Sequence, residues 1–139
     1  MGDFRASKSG FLLVVELDDG NVAGFVHVIE FNGICHLEQL SVAPQHARQG
    51  WGRTLVEAAK HHARNRVYLQ ISLRTYVDIP WNAPFYATAG FIEEEPTTSF
   101  HRSLIAIEAE LGVDRYGRRV HMVAPLAAPR PWEDPSAGM

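Results

Sequence analysis

Two glycines spaced two apart, Gly50 and Gly52, limit what the middle of this chain can become. They follow an apolar run that ends at Pro44. They precede Leu55, Val56, Ala59 and Ala63, which repeat at helical spacing. Leu37 to Lys60 therefore reads as a buried strand, a sharp turn and an amphipathic helix. Glycine accepts the backbone angles of such a turn and lets a ligand approach the main chain. The first amides of the helix lack intrahelical partners, and the helix dipole adds positive charge there. The turn is a candidate place for a phosphate or pyrophosphate, or else a connection whose glycines serve geometry alone. Two common phosphate loops fail. Gly52-Arg53-Thr54 lacks the earlier glycine of a P-loop, and Leu55 stands where a Rossmann turn needs a small residue.

The 139 residues suffice for one core, expected over residues 1–126, with a Pro-rich tail over 127–139. The net charge of −3 and the lack of a Lys/Arg run argue against a nucleic-acid partner. The single cysteine, Cys35, leaves no intrachain disulfide, and no metal site is expected. No apolar run reaches membrane-spanning length and no signal-peptide core opens the chain, so a cytoplasmic protein without membrane contact is expected.

Strands are expected over Phe11–Leu17, Val22–Phe31 and Ile34–Val42, the last two joined by an Asn32-Gly33 hairpin turn. The helix after the glycines runs to about Arg66, and Val67–Leu73 reads as the next strand. A short helix within Asp78–Tyr86, a strand after Gly90-Phe91, a helix over Phe100–Leu111 and a strand over Gly117–Leu126 complete the order.

Ala47-Arg48-Gln49-Gly50-Trp51-Gly52 resembles the acetyl-CoA loop of the GNAT superfamily of N-acetyltransferases, Gln/Arg-x-x-Gly-x-Gly/Ala, with Ala47 departing from the first position. Asn82, Phe85 and Tyr86 before Gly90-Phe91 resemble a second signature of that family, and His36–Val42 resembles its fourth strand. The likeness covers roughly residues 11 to 95. It implies the acyl-CoA N-acyltransferase fold, an α/β (α+β) arrangement with a mixed bent sheet and helices on both faces. Ten residues before Phe11 leave no room for the family's usual first strand and helices, so an N-terminally truncated variant is expected, with the acceptor side open or completed by another subunit. A homodimer is the expected assembly.

The resemblance further implies acetyl-CoA as cofactor. Amides from Gln49 to Thr54 (Gln49, Gly50, Trp51, Gly52, Arg53, Thr54) would hold its pyrophosphate, with Arg48 or Arg53 supplying the charge that Ala47 lacks. Leu40, Ser41 and Val42 would pair with the pantetheine arm, which Asn82, Phe85 and Tyr86 would also meet, although Asn82 also suits a helix cap. Amine acetylation needs a base for the amine and a proton for the leaving thiolate. The family places the acid at Tyr86 and the base at Glu38 or His36. A two-residue turn at Asn32-Gly33 with strict alternation sets His27 opposite Glu38 and Phe25 opposite Leu40, which gathers His27, Glu38 and His36 into a polar cluster. That cluster is a catalytic set or a cross-strand pair that satisfies its own polar groups. Phe25, His27 and Trp81 are candidates to line the acceptor pocket. His61 and His62 diverge on a helix and read as surface residues, and Cys35 faces away from His36 as a packed thiol. The expected function is an acetyl-CoA-dependent N-acetyltransferase acting on a small primary amine, the alternative being a silent acyl-CoA-binding module.

Overall fold

The computed structural model describes residues 9–126. The tail expected over 127–139 lies outside them. The described residues hold six strands, three α-helices and two short 3-10 turns, a mixed α+β content. They fall into two compact units, one reaching from residue 9 to Ile71 with Pro125 and Leu126, the other from Ser72 to Ala124. Among the described residues no helix is long and apolar enough to cross a membrane.

In the first unit β1 (Ser9–Glu16), β2 (Val22–Phe31) and β3 (Ile34–Val42) form an antiparallel meander. Asn32 and Gly33 turn the chain with φ of 50° and 81°, the left-handed pair that a two-residue hairpin needs, so Phe31 faces Ile34 as expected. Ala23, Val26 and Val28 are fully buried in β2. Over these strands packs α1 (Trp51–Asn65), which buries Leu55, Val56, Ala59 and Ala63, the residues read as its apolar stripe. Gly24 permits close approach. A Cβ there would lie 2.5 Å from the Ser41 carbonyl oxygen and 3.2 Å from the Leu55 side chain.

The register breaks between His27 and Val28. Val28 pairs with Leu37, but His27 pairs with Gln39, Val26 with Leu40 and Phe25 with Ser41. Glu38 is the extra residue of a β-bulge, so it does not oppose His27, and Phe25 does not oppose Leu40. The expected polar cluster is thus broken up. The cause is the apolar face: Leu37 and Leu40 are three apart, and strict alternation would set them on opposite sides of the sheet. One inserted residue returns Leu40 to the side shared by Val26, Val28 and Leu37. Glu38 is left exposed.

The strand expected at Val67–Leu73 begins later, as β4 (Gln70–Tyr76). Val67 takes φ 69° and ends α1: its N–H donates to the Arg64 carbonyl (2.9 Å), and Tyr68 N–H to that of Ala63 (3.2 Å). These paired bonds close the helix in a Schellman turn. Val67 and Tyr68, counted toward a strand, belong to a helix stop, and Val67 and Leu69 are left 80% and 78% exposed.

In the second unit the strands run in the order β4, β6 (Arg119–Pro125) and β5 (Ile92–Glu93), with β5 and β6 antiparallel. Between β4 and β5 lies α2 (Ala83–Thr88), later than the helix expected to end at Tyr86. The helix expected at Phe100–Leu111 is α3 (Ser99–Leu111), capped by Thr98, whose hydroxyl accepts from the His101 N–H at 3.0 Å. Its inward residues include His101 and Glu108, whereas Ile105, Ile107 and Leu111 are 40%, 46% and 66% exposed.

Candidate active site

The connection from β3 to α1 is built of backbone. Pro44–His46 forms a 3-10 turn, Arg48 adopts φ 63°, and Gly50 adopts φ 87° as the residue before the helix. A Cβ at Gly50 would meet nothing within 4 Å, so the left-handed angle rather than crowding calls for glycine. The first helical bond runs from Thr54 N–H to the Gly50 carbonyl at 3.0 Å, and the Thr54 hydroxyl donates to the same oxygen at 3.1 Å. The amides of Trp51 and Gly52 therefore precede the helical ladder. Residues 47–50 are exposed, and the first turn of α1 carries no acidic side chain. Two left-handed residues spaced two apart at a helix N-terminus make a concave row of donors suited to an anion.

Side chains around the turn hold one another. Trp51 Nε1 donates to Gln49 Oε1 at 3.1 Å, and Arg53 lies 3.9 Å from Glu57 one helical turn on. Leu40, Ser41 and Val42 follow the bulge at the end of β3 and are half-buried. Among the base candidates of the first unit, His36 is buried opposite Ile29, and Glu38 projects from the bulge. Phe25 and His27 lie on the sheet side opposite Val26 and Val28, both half-buried. Cys35 is buried, and burial together with the Glu30 carboxylate pushes its thiol up to about 12, which keeps it protonated and inert.

In the second unit Tyr86 is 8% exposed on α2, with its ring set edge-on to Phe85 (5.2 Å) and Phe91 (5.6 Å). Burial pushes its phenol up to about 12, so it keeps its proton throughout the neutral range. Asn82 precedes α2 and its carbonyl accepts from Tyr86 N–H at 2.9 Å, but its side chain makes no capping bond. The cap reading of its amide therefore falls. Trp81 is 74% exposed. The sequence reading singled out neither His101 nor His121. Both are buried, and their rings lie 4.5 Å apart. His101 opens the polar run His101-Arg102-Ser103 near the start of α3, where nothing in the pattern signals burial.

Residues 8–93 match the family model described as the acetyltransferase (GNAT) domain, which is more than half of the chain. The chain belongs to this family. Spermidine N(1)-acetyltransferase of Vibrio cholerae serotype O1 is 34% identical over 84 residues, 58% of this chain and 49% of that protein. The chain spans about half the length of this curated relative. Among solved structures, nourseothricin acetyltransferase is 26% identical, with a TM-score of 0.62 over 88% of this chain and 68% of its own. The putative streptothricin acetyltransferase of Bacillus anthracis str. Ames, solved in complex with acetyl coenzyme A, is 16% identical with a TM-score of 0.64. That likeness covers 85% of this chain and 63% of the other, and it is one of fold.

Proposed function

We propose that this protein transfers the acetyl group of acetyl-CoA to a primary amine of a small molecule by direct attack in a ternary complex. The observation that carries this reading is the exposed, left-handed turn at Arg48–Gly50 opening onto the N-terminus of α1. Its amides, from Gln49 to Thr54, suit a pyrophosphate, and Arg48 adds charge where Ala47 has none. The backbone of Leu40 and Val42 beyond the bulge, and the amide of Asn82 with the ring of Phe85, suit the pantetheine arm. Relatives named for spermidine and nourseothricin favour a small amine-bearing acceptor.

Acetyl-CoA supplies the activated thioester. Glu38, exposed on its bulge, takes the amine proton, and it is preferred to His36, which is only 3% exposed. Tyr86 Oη, protonated throughout the neutral range, gives its proton to the departing thiolate. His27, Phe25 and Trp81 are proposed to line the acceptor side.

Release of free CoA across a panel of primary amines tests the reaction, and no amine-dependent release from any of them would overturn it. Gly52→Val should abolish thermal stabilisation by acetyl-CoA while the far-UV spectrum is kept. A folded variant with unchanged stabilisation removes the turn from the cofactor site. Tyr86→Phe and Glu38→Gln should each lower kcat by about a hundredfold or more, with little change in acetyl-CoA affinity. If Tyr86→Phe turns over normally, solvent protonates the thiolate.

A further inference from the structure

Glu57, Lys60, His61 and Arg64 of α1 line a cavity of about 330 Å³ whose other wall is Pro125 and Leu126. Their spacing places the four α1 residues on one helical face. Leu126 is held there by the bond from its N–H to the Leu69 carbonyl, 2.9 Å. The charges along this face do not balance. Glu57 is shared between Arg53 at 3.9 Å and Lys60 at 3.8 Å, and no ion pair among the described residues engages Arg64. The Arg64 guanidinium has Nη2 3.3 Å from His61 Nδ1, while its Nε is buried with no hydrogen-bond partner. A half-buried guanidinium left without a counter-charge is unfavourable, and an oxyanion bound against it in the cavity supplies that charge.

We propose that this cavity binds a small oxyanion, a carboxylate or phosphate on a short apolar stem. The oxyanion meets Arg64, with Lys60 and His61 beside it, and the stem lies against Pro125 and Leu126. The volume suits a small molecule. Arg64 stands about 20 Å along the helix axis from Trp51, so this site is separate from the turn proposed for acetyl-CoA and does not depend on it.

Amide-resolved NMR titration of the full chain with inorganic phosphate and, separately, with butyrate tests this, with ionic strength held constant by chloride. Saturable shifts at residues 57–64 and at Leu126 are expected with at least one of them, and the tighter binder names the headgroup. Shifts confined to residues 48–53 would report the turn instead and would overturn the cavity site, as would the absence of saturation. Arg64→Met should weaken binding at least about tenfold. Should that variant lose its folded spectrum, Lys60→Met and Arg64→Lys are expected to weaken binding by lesser factors, and wild-type affinity in both would overturn the assignment.

Discussion

The first unit closes over Val26, Val28, Leu55, Val56, Ala59 and Ala63. The second also buries Leu73, Phe91 and Val123, but sets among them Ser72, Thr75, His101 and His121. The Thr98 and Ser72 hydroxyls each lie 2.8 Å from a ring nitrogen of His101, and the neutral ring donates to one and accepts from the other. Two turns further along α3, Glu108 accepts from Arg74 Nε at 2.9 Å and from Arg119 Nε and Nη2 at 3.2 and 3.1 Å. The first unit has a buried acid too, Glu30, held by Arg66 at 2.9 Å and Tyr68 at 2.7 Å, but Arg66 keeps 45% of its side chain in water. An apolar core tolerates any packing of similar volume, whereas a buried hydrogen-bonded network ties stability to particular protonation states and partners.

The largest test of that contrast removes a charge. Burial would raise the Glu108 pKa, but hydrogen bonds from Arg119 and Arg74 outweigh it and hold the carboxyl below its usual range. Glu108→Gln leaves the Arg74 side chain, 8% exposed, and Arg119, 20% exposed, facing a neutral amide. A loss of about 3 kcal/mol is expected in urea unfolding. Glu57→Gln, on the exposed pairs of α1, should move stability by no more than about 0.5 kcal/mol. Similar losses in the two variants would erase the distinction between the units.

A smaller effect is expected from pH. Burial, reinforced by His121 and Arg74, lowers His101 to about 4, and burial followed by Arg74 also lowers His121. Both rings fold neutral. The unfolded chain binds protons first, near the ordinary histidine value of about 6.5. Their contribution is therefore whole above that pH and is lost as pH falls below it, for His101 down to about 4, at up to about 1.4 kcal/mol per pH unit for each ring. Urea unfolding at pH 7.5, 6 and 5 measures the slope. His101→Gln should flatten it, while Leu55→Ala, which hollows the first unit's core, should lower stability with the slope kept. A slope unchanged in His101→Gln would show that the His101 imidazole is not its source.

The same contrast explains what could be read from the sequence. β2, the Asn32-Gly33 turn and the buried stripe of α1 follow from apolar periodicity and from glycine at left-handed angles, and all three lie where expected. The bulge left a trace that strict alternation hid: Glu38-Gln39 is a polar pair between Leu37 and Leu40, two leucines that need the same face. The turn at Gly50 was legible because a glycine occupies its left-handed position. The polar core of the second unit was not, because His101 and Glu108 look like the wet side of α3 while Ile105 and Ile107 look like its dry side. Burial there is decided by partners on Ser72, Arg74 and Arg119, which no local pattern announces.

The smallest prediction sets the two ends of α1 against each other. Both are flanked by left-handed residues, Gly50 before the helix at φ 87° and Val67 after it at φ 69°. A left-handed angle costs an L-residue about 1–2 kcal/mol, more heavily felt when the side chain is β-branched. Val67 is 80% exposed, so replacing it forfeits little packing. Val67→Gly relieves the strain and gives back about 0.5–1 kcal/mol to the greater freedom of the unfolded chain. A net gain of about 0.5–1 kcal/mol is expected in urea unfolding. Gly50→Ala should do the reverse by a similar amount, since a Cβ there meets nothing and only the backbone angle opposes it. Val67→Ala should fall between wild type and Val67→Gly, because it sheds the branch but keeps the left-handed penalty. If Val67→Gly destabilises the protein, the Schellman closure at Arg64 and Ala63 depends on the valine side chain and not on the backbone angle alone.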